Sequence, residues 1–252
     1  MEIDLSGRAA LVTGGGRGIG RAIALALAAA GADVAVNYRR EADAASEVVR
    51  EIAAMGRKAK AYQAQVEVWD EDEAMAAAAL GDFGSIGILV NNAGIASRGQ
   101  GVADTDPAEM ERVVRIHAFG PFYLCKLLVP QMRSLGRADV VMISSVATLG
   151  MGARGSPYNM GKAAMEALAL TLAKEEREHG IRTNIVAPGL TVTEMGRRLT
   201  RATTGLDDIH ALDARSPFGR VSTPEDVAAA VTYLVSSANP YANGQKINLN
   251  GG

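Results

Sequence analysis

Thr13-Gly14-Gly15-Gly16-Arg17-Gly18-Ile19-Gly20 is the stretch that decides how this chain folds. Arg8 to Thr13 leads into it as a short apolar run of strand character. Beyond it, an apolar, alanine-rich helical pattern of about 17 residues centres on Arg21 to Ala30. Strand, glycine turn and helix follow in the order that a dinucleotide phosphate site needs. Glycine permits the tight turn and close approach of backbone to pyrophosphate, and the unpaired N–H groups that open a helix attract an anion. The spacing is G-x-x-x-G-x-G, not the commoner G-x-G-x-x-G, and alone it also describes an ordinary strand-to-helix turn.

Working outward, two segments repeat the plan. Ile86 to Gly94 is an apolar strand ending in Asn91, Asn92, Ala93 and Gly94, whose amides can brace neighbouring loops. Thr183 to Thr193 is another strand, ending in Pro188 and Gly189, with the hydroxyls of Thr191 and Thr193 just beyond it. Apolar runs alternate with alanine-rich amphipathic stretches from Leu11 to Leu249, the pattern of βαβ units in an α/β fold.

A third strand-like run, Val140 to Ile143, delivers Ser145 to a carboxyl edge, where open parallel sheets keep their ligand crevice. A helix over Ser156–Glu175 places Tyr158 and Lys162 one turn apart on one face. A nearby ammonium favours the phenolate, which makes Tyr158 a candidate general acid or base. Ser145 is then placed to hydrogen-bond a substrate oxygen.

In these residues the chain resembles the short-chain dehydrogenase/reductases, and in overall pattern the 3-oxoacyl-[acyl-carrier-protein] reductases among them. The resemblance is carried by Thr13 to Gly20, Asn91 to Gly94, Ser145 with Tyr158-x-x-x-Lys162, Pro188-Gly189, and Asn243-Gly244-Gln245 leading to Gly251-Gly252. It implies one Rossmann-type domain over 1–252, with a doubly wound, seven-stranded parallel sheet and helices on both faces. It also implies a bound nicotinamide dinucleotide and interconversion of a ketone and a secondary alcohol by hydride transfer. Tyr158 would exchange a proton with the substrate oxygen, Ser145 would orient the carbonyl, and Lys162 would bind the nicotinamide ribose and lower the tyrosine pKa. Cofactor contacts then fall on Gly14, Gly16, Arg17, Gly18, Ile19, Gly20, Tyr38, Arg39, Gln65, Val66, Asn92, Ala93, Gly94, Tyr158, Lys162, Pro188, Gly189, Thr191 and Thr193.

The second strand, Ala32 to Tyr38, ends without the acid that binds an NAD ribose and is followed by Arg39 and Arg40. A guanidinium pairs with phosphate through two parallel hydrogen bonds, so Arg17 and Arg39 point to NADP(H). The alternative is that both are solvated surface charges. His117 stands where the family usually has an asparagine that completes a proton relay through water. An imidazole titrating near neutrality either joins such a relay or packs as an ordinary helix histidine. Gln65, where many relatives have an aspartate, keeps the capacity to contact adenine.

The 26 basic and 28 acidic residues are mixed, giving a net charge of −2 and no basic field for nucleic acid. No apolar stretch of ~20 residues is evident, and Glu2, Asp4 and Arg8 interrupt any signal-peptide pattern, so a cytoplasmic protein without membrane contact is expected. Cys125 stands alone in an apolar helical pattern as a packed thiol. His117, His179 and His210 lack ligand spacing, so no metal is expected.

The segment 190–215 lacks the apolar rhythm of its neighbours and is a candidate substrate lid, with Met151 to Arg154 on the opposite wall. For an acyl-carrier-protein partner the chain offers Arg133 and Arg137, but His179 replaces the second arginine site. The resemblance further suggests a homotetramer built on helices near Glu109 to Arg133 and Pro157 to His179. A dinucleotide sensor that lost turnover is the alternative class, against which Ser145, Tyr158 and Lys162 together speak.

Overall fold

A computed structural model describes residues 3–252. The strands are β1 (Ala9–Val12), β2 (Asp33–Tyr38), β3 (Ala59–Gln63), β4 (Ile88–Asn91), β5 (Ala138–Ile143), β6 (Ile181–Pro188) and β7 (Lys246–Leu249). The α-helices are α1 (Gly18–Ala29), α2 (Ala42–Ala54), α3 (Trp69–Phe83), α4 (Pro107–Val114), α5 (Gly120–Met132), α6 (Ala147–Gly150), α7 (Ser156–Glu175), α8 (Glu194–Thr204) and α9 (Pro224–Val235). All strand pairs are parallel, and the seven strands lie in the order β3-β2-β1-β4-β5-β6-β7. The fold is the expected single-domain Rossmann sandwich.

Alternation along the strands separates two cores, because successive side chains leave opposite faces. Ala10 and Val12 of β1 pack with α1, α2 and α9, whereas Ala9 and Leu11 face α3, α5 and α7. The chain order reverses between β1 and β4, and their carboxyl ends open the crevice where this architecture takes ligands.

Helix α7 spans the residues that the sequence implies, but α1 has 12 residues where the pattern suggested about 17. It stops because the chain turns at Gly31, with φ of 103° and no room for a Cβ against Ser6 Oγ, 2.7 Å away. A second difference concerns the apolar stretch of ~20 residues that the sequence was expected to lack. A π-helical segment, Arg115–Phe119, fuses α4 and α5 into a continuous helix over Pro107–Met132 that by length and composition alone could cross a bilayer. Half of its most apolar window is buried in the fold, with α3 and α7 against it, so the apolar character also has a use as core.

At the amino edge of the sheet, buried Asp139 pairs with Arg8 at 2.7 Å, Arg182 at 3.0 Å and Arg137 at 3.3 Å. These arginines also donate to the carbonyls of Gly87, Val235, Ser236 and Asn239, tying loops to the sheet's base. Asp72, by contrast, is fully buried, and neither carboxylate oxygen is hydrogen-bonded among the described residues. Burial first, then the charges of Glu67 and Glu71, pushes its pKa up to about 8. A folded pKa above the unfolded one means that the native state holds the extra proton. Stability therefore falls as pH rises from about 4 through 8. Asp72→Asn should match the parent's Tm at about pH 3, below both pKa values, and exceed it at pH 8 by roughly 5 °C; parallel Tm–pH curves would refute this.

Candidate active site

The glycine turn is held by side chains from two strand ends. Thr13 Oγ1 accepts from the N–H groups of Asn92 and Ala93, both at 2.9 Å, and Asn92 Nδ2 donates to the carbonyls of Thr13 at 2.8 Å and Gly14 at 3.3 Å. Asn92 thus braces the neighbouring loop. Asn37 adds a bond unremarked in the sequence, accepting the N–H of Gly14 at 3.1 Å. Gly14 and Gly18 adopt φ of 60° and 53°, and a Cβ at Gly20 would lie 2.2 Å from the carbonyl of Gly14. Helix α1 starts at Gly18 with no side-chain cap and no acid in its first turn, so the N–H groups of its opening turn are available to a phosphate. This is a cradle that fits a dinucleotide.

The two arginines beside the cradle carry partners. Arg17 bridges Glu41 at 2.8 Å and Glu194 at 2.6 Å, linking the glycine turn to the start of α8. Arg39 donates to Gln65 Oε1 at 3.0 and 2.8 Å, and Gln65 Nε2 passes the contact on to Glu71. Arg39, Arg40, Gln63, Gln65 and Glu71 line a concavity of about 480 Å³ beyond the ends of β2 and β3. Tyr38 is half-buried at the end of β2, and Val66 is core. Thr193 caps α8 by accepting from Gly196 at 3.0 Å, with its methyl 3.5 Å from where a Cβ on Gly18 would stand. Pro188 closes β6, and its carbonyl takes the N–H of Val146 at 3.1 Å; Gly189 bonds Leu249, and Thr191 folds back on Gly189.

Ser145 lies just beyond β5, with Oγ accepting from Ala147 at 3.2 Å. Tyr158, one turn into α7, has a phenol pushed upward by burial and drawn down by its hydrogen bond with Ser145. The expected lowering by Lys162 is not what governs this phenol. Lys162 is itself almost fully buried, with Nζ donating to the carbonyl of Ile143 at 2.6 Å and lying 5.8 Å from the Tyr158 ring centroid. Burial brings its pKa down to about 7, against an upward pull from Glu166.

His117 belongs to the π-helical segment, a distortion common at functional sites. Pro121 has no N–H, so the carbonyl of His117 lacks its usual α-helical donor. The imidazole is buried at 1% exposure, edge-on to Tyr158 with ring centroids 5.2 Å apart. Nε2 lies 2.8 Å from the carbonyl of Ile95 and 3.3 Å from its N–H; the shorter contact places the proton on Nε2 and leaves Nδ1 as a buried acceptor with no partner among the described residues. Burial and then the Lys162 charge hold its pKa down at about 3. The sequence suggested titration near neutrality; in the folded protein the ring is neutral there. Two glycines make room for it, because a Cβ on Gly94 would sit 2.5 Å from its Cε1 and one on Gly161 2.9 Å from its Cβ.

Sequence comparison agrees with this geometry. A family described as enoyl-(acyl carrier protein) reductase matches residues 14–252. The 3-oxoacyl-[acyl-carrier-protein] reductase of Staphylococcus epidermidis strain RP62A is 36% identical over 250 residues, covering 97% of this chain and 98% of that protein. The L-rhamnose 1-dehydrogenase (NAD(P)(+)) of Sphingomonas sp. strain SKA58 is 32% identical over 255 residues, covering 98% and 96%. A short-chain dehydrogenase from Burkholderia cenocepacia J2315, solved in complex with NADP, superposes with a TM-score of 0.88 at 33% identity, covering 98% of each chain. The chain belongs to the short-chain dehydrogenase/reductase family, oxidoreductases that act on CH–OH donors with a nicotinamide dinucleotide.

The placement of His117 yields a direct check. Gly94→Ala should lower kcat/KM by at least about 10-fold through the clash with the ring, and His117→Ala should restore much of that loss in the double variant. Additive losses would place the ring elsewhere.

Proposed function

We propose that this protein is an NADP(H)-dependent reductase of 3-oxoacyl thioesters, interconverting the 3-oxo and 3-hydroxy forms. The observation that carries this is the convergence of Ser145, Tyr158 and Lys162 at the carboxyl edge of the sheet that also bears the glycine cradle. When bound, the cofactor supplies a hydride to the carbonyl carbon or accepts one from the alcohol. Tyr158 hands a proton to the substrate oxygen, and its upward-shifted pKa suits it to hold that proton in the reducing direction. Ser145 holds the carbonyl oxygen. Lys162 binds the nicotinamide ribose, and His117 feeds the proton path through its main-chain carbonyl, to which Pro121 has no N–H to donate.

For the dinucleotide, Gly14, Gly16, Gly18, Ile19 and Gly20 would hold pyrophosphate, and Tyr38, Gln65 and Val66 the adenosine end. Asn92, Ala93 and Gly94, with Pro188, Gly189, Thr191 and Thr193, would hold the nicotinamide end. Arg17 and Arg39 would take the 2′-phosphate. The Arg17 ion pairs are exposed ones, worth little, so trading them for a bidentate phosphate contact is favourable.

An acyl substrate is supported by exposed Leu149 and Met151 before Tyr158 and by exposed Met195, Leu199 and Leu206 in the proposed lid, residues 190–215. The carrier protein itself is disfavoured. Glu176 holds Arg133 at 2.9 and 2.6 Å, and Arg137 is bound to Asp139 and two carbonyls. The proposed homotetramer would use exposed Phe119, Phe122, Met160 and Leu170, whereas Val113 and Leu172 on the same helices are core. The proposed setting is the cytoplasm, where a buried thiol such as Cys125 stays reduced.

A screen of 3-oxoacyl thioesters, keto-sugars and steroid ketones with both cofactors tests this reading. The thioesters should give the highest kcat/KM, NADPH should exceed NADH, and Tyr158→Phe should lose about 10³-fold. Arg39→Ala should reduce the NADPH preference about 10-fold. A higher kcat/KM with NADH, or a keto-sugar as best substrate, would overturn the corresponding part.

A further inference from the structure

Lys162 is followed one turn later on α7 by Glu166, and three groups converge on the Glu166 carboxylate. Ser144 Oγ donates at 2.5 Å and Thr148 Oγ1 at 2.8 Å, both to Oε1, while Lys246 Nζ donates to Oε2 at 2.9 Å. Lys246 Nζ also reaches Thr148 Oγ1 at 2.6 Å, and Thr148 Oγ1 lies 2.8 Å from the carbonyl of Ser145. One carboxylate therefore ties α7 to the end of β5, to α6 and to the first residue of β7. Packing alone does not need this: a partly buried ion pair can be replaced by apolar side chains at little cost or some gain. Two of the tethered positions, Ser144 and Thr148, flank Ser145 and bond its immediate surroundings.

We propose that Glu166, clamped by Lys246, Thr148 and Ser144, is a positioning residue that fixes the Ser145 turn and provides the counter-charge for the Lys162 ammonium. The inference rests on the ketone-reducing reading of the site. The ionisable groups around Lys162 are few. Its own helix brings Tyr158 and Glu166, and the π-helical segment brings His117, which is neutral near pH 7. In α4, Glu109 pairs with Arg98 and Glu111 with Arg115 of the π-helical segment. The charged residues of β5 and β6, Asp139 and Arg182, bond each other at the opposite edge, and α6 has none. Glu166 is thus the carboxylate that acts on Lys162, raising a pKa that burial has depressed. Removing that charge lets the pKa fall further, so the ammonium is lost at a lower pH. Reduction, which uses the ammonium, should then lose its rate at lower pH too.

The test is the pH profile of kcat/KM for reduction with NADPH in the wild type, Glu166→Gln, Glu166→Asp and the Glu166→Gln/Lys246→Met pair. The basic limb should move down by about one unit in Glu166→Gln. The effect should fall on kcat, with KM for the thioester within about two-fold. Glu166→Asp should return the limb towards its original place, and the double variant should recover Tm without recovering the profile. Profiles that coincide in wild type and Glu166→Gln, or that recover with Tm, would overturn the inference. If the wild type reduces no carbonyl, the functional reading falls instead. NMR titration of the Lys162 ammonium then decides the inference: a lower pKa in Glu166→Gln upholds it and an unchanged one ends it.

Discussion

A positive charge buried in the carboxyl edge of the sheet is the constraint on which the site depends. Taking an ammonium out of water costs several kcal/mol after relaxation. Lys162 offsets this with the Ile143 carbonyl, the Tyr158 ring and the Glu166 charge one turn along. Each requirement reaches into the fold. The carbonyl must be at the end of β5, so α7 must cross that strand end. Tight contact between α7 and the π-helical segment needs Gly161, and the closeness of His117 to the ammonium helps keep its ring neutral. Charge, proton and hydroxyl are thus apportioned among Lys162, Tyr158 and Ser145 by burial as much as by chemistry.

The two edges of the sheet solve the same problem differently. At the amino edge, one buried carboxylate is surrounded by three guanidinium groups, which in turn spend donors on backbone carbonyls. At the carboxyl edge, His117 Nδ1 is left without a partner, and the pKa values of Tyr158 and Lys162 are both pushed toward their neutral forms. Polar groups left imperfectly satisfied are costly, and they concentrate where reacting atoms must be exchanged. The satisfied edge ties loops to the sheet; the frustrated edge is where the proposed chemistry would run.

Local signals were legible in the sequence because local physics decides them. Glycines before a helix, strands ending in small or amide residues, and a tyrosine and lysine four apart each announce themselves within a few residues. The doubly wound sheet follows from their order. Long-range burial was not legible. Asp72 sits among acids at the start of α3, where nothing local announces burial, yet it is enclosed by the fold. Lys246 is 80 residues from Glu166, so the clamp behind Lys162 has no local signature, although Glu166 four residues after Lys162 continues the same helical face. The neutrality of His117 depends on enclosure and on a neighbour in another helix. The long helix near Glu109 to Arg133 was legible, but its π-helical distortion over Arg115–Phe119 was not.

The central claim is that Tyr158 and Lys162 complete a hydride-and-proton transfer to a carbonyl. Its most direct measurement is single-turnover transfer of deuterium from C4-deuterated NADPH to a 3-oxoacyl thioester, read by mass spectrometry of the product. The account predicts one deuterium on C3 of the 3-hydroxy product with the wild type and none within the same time with Tyr158→Phe. Deuterium transfer that proceeds equally in the Tyr158→Phe variant would contradict it.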